Sequence, residues 1–161
     1  MKPSIFVLAA TLSLLAACAS MSGPLSVADT IGRNPQLSTL NGLVQKAGLS
    51  EMLKGSGPYT VFAPTNDAFK AVSPKTMDAL ASDPAKLKAV LSYHMLPAKV
   101  LSSEVKNGNA KTAHGGNVAL AKAGDFVTAE DAMVQTANIA ATNGVVHTVD
   151  RVLTPPASAP R

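Results

Sequence analysis

The sequence predicts an α+β domain, with a helical layer packed against an antiparallel sheet or sandwich. Three observations support this. Three segments of the first half open with a capping residue followed by proline: Asn34-Pro35, Ser73-Pro74 and Asp83-Pro84. From Ala98 onward the pattern changes to short strand-like runs divided by Gly and Asn turns. Helical segments first and strands later is the order expected of α+β folds.

Taken in order, Ser26 is placed to cap a short helix over Val27 to Gly32. After Asn34-Pro35, the residues Leu37, Leu40, Leu43 and Val44 recur at helical spacing, and Gly48 supplies the stop. Gly57-Pro58 leads into a strand, Tyr59-Thr60-Val61-Phe62, which Pro64 ends because proline cannot donate to a sheet ladder. Thr65 or Asn66 can cap the helix that follows. Asp67 in its first turn suits the positive end of the helix dipole, and Phe62 and Phe69 are expected core anchors. Asp83-Pro84 opens a helix with Leu87, Val90 and Leu91 on one face, ending before Pro97. Strands are then predicted over Ala98 to Leu101, Val118 to Lys122, Phe126 to Thr128 and Met133 to Ala137, with a hairpin turn at His114-Gly115-Gly116-Asn117. Asn143-Gly144 is a turn signal, since both residues tolerate positive φ. It opens the last strand, Val145 to Leu153. Val145, Val149 and Leu153 share one face and Val146 and Val152 the other, as expected of a central strand. Period-2 alternation sends His147 and Asp150 to opposite faces.

Composition narrows the class. The 161 residues are 47% apolar, 15% charged and 4% aromatic, with 27 alanines, no Trp and one Cys. One thiol excludes a disulfide framework and any zinc site built on two or more cysteines. The balance is the reverse of that of a disordered chain, and there is no room for a second full domain. The N-terminus accounts for part of the apolar content. Lys2 precedes an apolar run from Ile5 to Ala17. Such a run is too short for a bilayer core of roughly 30 Å and suits the apolar region of a signal peptide. It ends in Leu15-Ala16-Ala17-Cys18, which resembles a bacterial lipobox. That resemblance implies cleavage after residue 17, lipid attachment at Cys18, and, because Ala19 is not Asp, the outer membrane as destination. Ordinary secretion, with cleavage after Ala19 at Ala17-Cys18-Ala19, is the alternative.

The expected organisation is a signal peptide over 1–17, a lipidated tether over 18–24, one domain over 25–155 and a Pro-rich tail over 156–161. The six residues Ala19 to Pro24 reach roughly 20 Å when extended, which keeps the domain near the membrane. Without residues 1–17 the chain has 13 basic and 10 acidic residues, a formal +3. The lysines are scattered and do not interleave with aromatics, so a nucleic-acid partner is not expected.

Two segments carry a family resemblance. Tyr59-Thr60-Val61-Phe62-Ala63-Pro64-Thr65-Asn66-Asp67-Ala68-Phe69 resembles the first signature of fasciclin-like domains. Asn143-Gly144-Val145-Val146-His147-Thr148-Val149-Asp150-Arg151-Val152-Leu153-Thr154-Pro155 resembles the second, and Tyr93-His94 matches a pair seen between them in many members. The resemblance covers Leu25 to Pro155. It implies a wedge-shaped β-sandwich with a helical layer and marks Pro64, Thr65, Asn66, Asp67, Gly144, His147 and Asp150 as structural motif residues. In animal members the Tyr-His region with flanking aliphatics is associated with integrin binding; here Leu91 and Leu96 flank Tyr93 and His94. These two residues are therefore the candidate partner contact. The other reading is that Tyr93 packs while His94 satisfies backbone groups near its helix end.

The chemistry-bearing residues do not assemble into a catalytic pattern. Cys18 is consumed by the lipid, no Gly-x-Ser-x-Gly elbow occurs, and the glycine turns do not match a phosphate loop. The histidines lack His-Glu-x-x-His spacing. His147 lies inside the last strand motif, and His114 is expected in an exposed turn. No catalytic residue, metal or cofactor is assigned. The expected function is a membrane-anchored, non-enzymatic module for cell adhesion or envelope and extracellular-matrix interaction, with a protein, glycan or matrix partner. A periplasmic or envelope module for a small molecule or lipid is the second expectation, because an Ala-rich, aromatic-poor core could leave room for an apolar ligand.

Overall fold

The computed structural model describes residues 25–155. The signal-peptide region, Cys18, the tether and the tail after Pro155 lie outside the described residues. The helical layer comprises α1 (Val27–Arg33), α2 (Ser38–Lys46), α3 (Ser50–Lys54), α4 (Asn66–Lys70), α5 (Pro74–Ser82) and α6 (Pro84–Tyr93). The strands are β1 (Tyr59–Pro64), β2 (Met95–Leu96), β3 (Gly108–Lys111), β4 (Asn117–Ala123), β5 (Phe126–Ala129), β6 (Ala132–Ala141) and β7 (Gly144–Val149). No helix among them is long and apolar enough to cross a membrane.

Capping chemistry starts the helices. Ser26 and Asp29 form a capping box at α1. Asn34 accepts from Gln36 N, but opens a short 3-10 turn, Pro35–Leu37, that runs into α2. Ser73 and Asp83 cap α5 and α6, each followed by proline. α3 has no side-chain cap, which is why no start signal for it is legible in the sequence.

One seven-stranded sheet runs β2-β1-β7-β6-β5-β4-β3. β1 and β7 pair in parallel, Tyr59 with Gly144 through Pro64 with Val149, so the sheet is mixed and not wholly antiparallel as expected. Register shifts between Val134 and Ile139 mark irregularities in β6, where the sheet turns from one arm to the other. Phe62 and Val149 of one arm pack with Val118, Leu120, Val127 and Ala129 of the other. The arms nearly meet again where Ala113 N donates to Met95 O at 2.7 Å, giving a nearly closed, barrel-like sandwich.

The β1/β7 pair separates two cores. Val61, Ala63 and Val146 face the helices, packing with Val27, Ile31, Leu40, Leu53 and Leu87. Phe62 and Val149 face the sandwich interior. Every residue of β7 is buried, as a central strand requires.

Predicted and observed strands differ most at Ala98 to Leu101, at the last strand, and at β6, which runs Ala132–Ala141 where Met133 to Ala137 is predicted. Ala98 to Leu101 is not a strand: the Thr60 hydroxyl donates to Ala98 O (2.6 Å) and accepts from Val100 N (2.8 Å), so a side chain takes the place of ladder partners. The last strand stops at Val149, not Leu153. Beyond it, the Asp150 carboxylate accepts from Met133 N at 2.7 Å and Leu153 N is taken by His94. Pro64 is the last residue of β1 itself, and Thr65 N then donates to Val149 O. β3 is additional to the predicted strands: Gly108, Asn109, Ala110 and Lys111 have low strand propensity.

Candidate functional site: the buried histidines and their motifs

The α6 helix delivers Tyr93 and His94 to the seam between the cores. Both are buried, at 1% and 2% exposure. His94 Nδ1 lies 2.8 Å from Val90 O, and His94 Nε2 accepts from Leu153 N at 2.9 Å. A carbonyl only accepts, so the proton sits on Nδ1 and the ring is neutral. Burial pushes the pKa of His94 down to about 4. The ring thus ties the end of α6 to a segment 59 residues away.

Tyr93 turns the other way. Its hydroxyl lies 2.7 Å from Asn117 O and 2.9 Å from Glu130 Oε1. Burial and the Glu130 carboxylate raise its pKa to about 12. Glu130 Oε1 also accepts from Ala119 N (3.0 Å), and Glu130 N donates to Ala119 O (2.7 Å). These bonds hold Glu130 at φ 54, a left-handed conformation that costs a non-glycine residue roughly 1–2 kcal/mol. The Tyr93 ring packs edge-on against exposed His114, with Gly116 beside it.

His147 is a second buried staple with the opposite tautomer. Its Nε2 donates to Val100 O (2.9 Å) and its Nδ1 accepts from Asn138 N (3.1 Å). Phe62 stacks on the ring, with centroids 5.6 Å apart. Burial lowers its pKa as well. Each histidine thus has both nitrogens committed to backbone, leaving no free lone pair for a base or metal ligand.

The first motif works as a junction. Thr65 caps α4, accepting from Ala68 N at 3.3 Å. Asn66 reaches back instead, accepting from Thr39 N (3.0 Å) and donating to Pro35 O (3.0 Å), so it fixes the start of α2. Asp67 is exposed and pairs with Lys70.

In the second motif, Asn143 accepts from Val27 N (2.8 Å) and donates to Leu53 O (2.7 Å) and Gly55 O (2.6 Å). It joins α1 to the end of α3. Neither Asn143 nor Gly144 adopts positive φ. Glycine is required at 144 for a different reason: a Cβ there would collide with the Tyr59 carbonyl across the parallel pair.

The predicted residues therefore fall into separate structural roles. His94 fastens the end of α6 and His147 the centre of β7; Thr65, Asn66 and Asp67 lie at the helical layer. Sequence reasoning missed Thr60, Glu130, Asn138 and Asn143 as bonding partners. Only Asn143 had a local signal, as part of Asn-Gly, and that signal pointed to the wrong conformation. Among the described residues no group of three or more His, Cys, Asp or Glu is placed to hold a metal. Two of the surface depressions, of about 270 and 370 Å³, are open to solvent; Asn66 and Lys70 line the first, Asp131 and Arg151 the second.

This architecture and both motifs define a fasciclin-type fold. The Fasciclin domain profile matches residues 35–155, and the chain belongs to that family. It is 34% identical over 140 residues to protein sll1483 of Synechocystis, covering 86% of this chain and 78% of that one. It is 36% identical to the pig transforming growth factor-beta-induced protein ig-h3, over 84% of this chain but only 20% of that protein. It is 33% identical to the cell surface glycolipoprotein MPB83 of Mycobacterium bovis, over 81% of this chain and 61% of the relative. A solved FAS1 domain pair from the insect cell adhesion molecule fasciclin I superposes with a TM-score of 0.63 at 15% identity, covering 80% of this chain and 50% of that one, which is a likeness of fold.

Proposed function

We propose that the chain is a non-enzymatic, lipid-anchored fasciclin module of the cell envelope that works by surface contact in adhesion or matrix interaction. The observation that carries this reading is the fasciclin domain lying directly behind Leu15-Ala16-Ala17-Cys18. A relative of similar sequence, MPB83, is named a cell surface glycolipoprotein, and the fold neighbour is a cell adhesion molecule. Lipid at Cys18 would hold the domain at the outer membrane, because several acyl chains together anchor stably at roughly 0.8 kcal/mol per buried methylene. Tyr93 and His94 contribute from inside: they fix the hairpin carrying His114 and the segment at Leu153, and do not present their own rings to a partner.

Two measurements test this. Intact mass of the mature chain should show acylation, and Cys18→Ser should release the protein from membranes or block processing; a soluble chain beginning at Ser20 refutes the anchor. Surface attachment should fall in a deletion strain and recover on complementation. Unchanged attachment in the deletion strain refutes the adhesion role.

A further inference from the structure

The sheet stops short of closing along one stretch of β3. The β3–β4 hairpin is a three-residue loop: Thr112 N donates to Gly116 O (2.8 Å), Gly115 N donates to Thr112 O (2.9 Å), and Gly115 has φ 96. Thr112 and Gly116 are therefore a hydrogen-bonded pair, and such pairs alternate along an antiparallel ladder. Ala110 with Val118 and Gly108 with Leu120 follow in the bonded phase, which turns the backbone N–H and C=O of Asn109 and Lys111 away from β4. Two bonds on β4 agree with this phase. Ala119 N points away from β3, to Glu130, and Lys122 N points toward it, to Asn107 Oδ1. Ala113, the first residue of the hairpin loop, bonds Met95 of β2. The hairpin loop thus touches β2 through Ala113, while within β3 itself Lys111 and Asn109 are without a backbone partner among the described residues.

The surroundings of this edge are basic. Lys99, Lys106 and Lys111 are exposed, and Lys122 extends to Ser103 O at 3.1 Å. None of these four lysines belongs to an ion pair among the described residues. Glu104, the one carboxylate between β2 and β3, accepts from Leu101 N (3.1 Å) and keeps its charge, against Lys99 and Lys106 in the same segment. An open trough of about 260 Å³ beside the edge is lined in part by Val100, Val105, Ala110 and Leu120.

We propose that the open edge of β3 docks an extended acidic peptide segment of a partner protein, which adds as a strand at Asn109 and Lys111. Strand addition uses main-chain bonds for affinity and alternate side-chain positions for specificity. Lysines along the edge oppose pairing with a second copy of the same edge and attract carboxylates. The trough accepts an aliphatic side chain between the acidic positions. This deepens the adhesion reading by giving it a surface, and it does not depend on the anchor at Cys18.

The test uses the full chain in neutral detergent and a blocked seven-residue peptide alternating glutamate and valine. NMR titration should shift the amides of Asn109 and Lys111 and slow their hydrogen exchange, with binding that weakens as salt rises. Asn109→Pro, which an edge strand tolerates, and Lys111→Glu should each weaken binding about tenfold or more with the circular dichroism unchanged. A lysine–valine peptide should not bind. Four results overturn the proposal: no shift at these amides at millimolar peptide; equal binding of the lysine peptide; protection of the same amides by self-association without peptide; or anionic vesicles shifting the lysine signals while the peptide protects neither amide. Loss of the peptide site with attachment intact would locate adhesion elsewhere on the module, leaving the adhesion reading standing.

Discussion

His94 and His147 use the same device in two regions, and the difference lies in what each one holds. His94 stands at a helix end, bonding its own helix through Val90 O and one distant donor, Leu153 N. His147 stands in the central strand, and both its partners lie outside that strand, at Val100 and at the β6 irregularity near Asn138. The first fastens a terminal segment; the second fastens a loop and a bent strand to the sheet centre, with Phe62 stacked on it. Opposite tautomers follow from which nitrogen meets a carbonyl. Each histidine serves the backbone donors and acceptors that irregular chain leaves over, which secondary structure does not satisfy there.

The largest effect is expected from removing the ring that supports the second region. Phe62→Ala should cost about 3–5 kcal/mol by denaturant unfolding, because a fully buried aromatic leaves a cavity in the sandwich core. A loss near zero would mean the stack with His147 contributes no packing.

Acid should act on the first region next. His94 binds a proton more readily unfolded than folded, since its pKa falls from 6.5 to about 4. Its contribution is therefore fully present above about pH 6.5 and is lost as pH falls toward 4, by roughly 3 kcal/mol. His147 titrates in the same direction and adds to this loss. In a His94→Gln variant the slope of stability between these pH values should flatten. An unchanged slope would assign it to other groups.

Single truncations should separate the regions. His94→Ala leaves the buried Leu153 N–H unpaired, at about 1–3 kcal/mol, while His147→Ala frees the Val100 carbonyl and the Asn138 N–H, which are only part-buried, and costs less per group. Native-state hydrogen exchange should quicken at Leu153 in the first variant and at Asn138 in the second. Coincident changes at both sites in both variants would show a single cooperative unit. The smallest effect, about 1 kcal/mol, is expected for Ser26→Ala at the α1 cap, with both histidine regions unchanged.

Local signals specify structure where the chemistry is local. A capping side chain and a proline one residue later specify a helix start within four residues, so α5 and α6 begin where Ser73 and Asp83 place them. Glycine at 115 marks the β3–β4 hairpin for the same reason. β3 was not legible because its pairing comes from the hairpin and not from strand-forming side chains. The apolar alternation continues to Leu153, but β7 ends at Val149 because beyond it side chains capture the backbone donors. At the candidate site, the adjacency of Tyr93 and His94 was visible, but their burial and opposed directions were not.

The sequence by itself determined the starts of α1, α4, α5 and α6, the central position of the last strand, the family and its motif residues, since each is encoded within a short stretch of chain. Tertiary structure decided the parallel β1/β7 pairing, the need for Gly144, the protonation state of His94 and the open edge at Asn109 and Lys111. Each of these depends on backbone groups far apart in sequence meeting at hydrogen-bond distance, and no local pattern records which distant group will arrive.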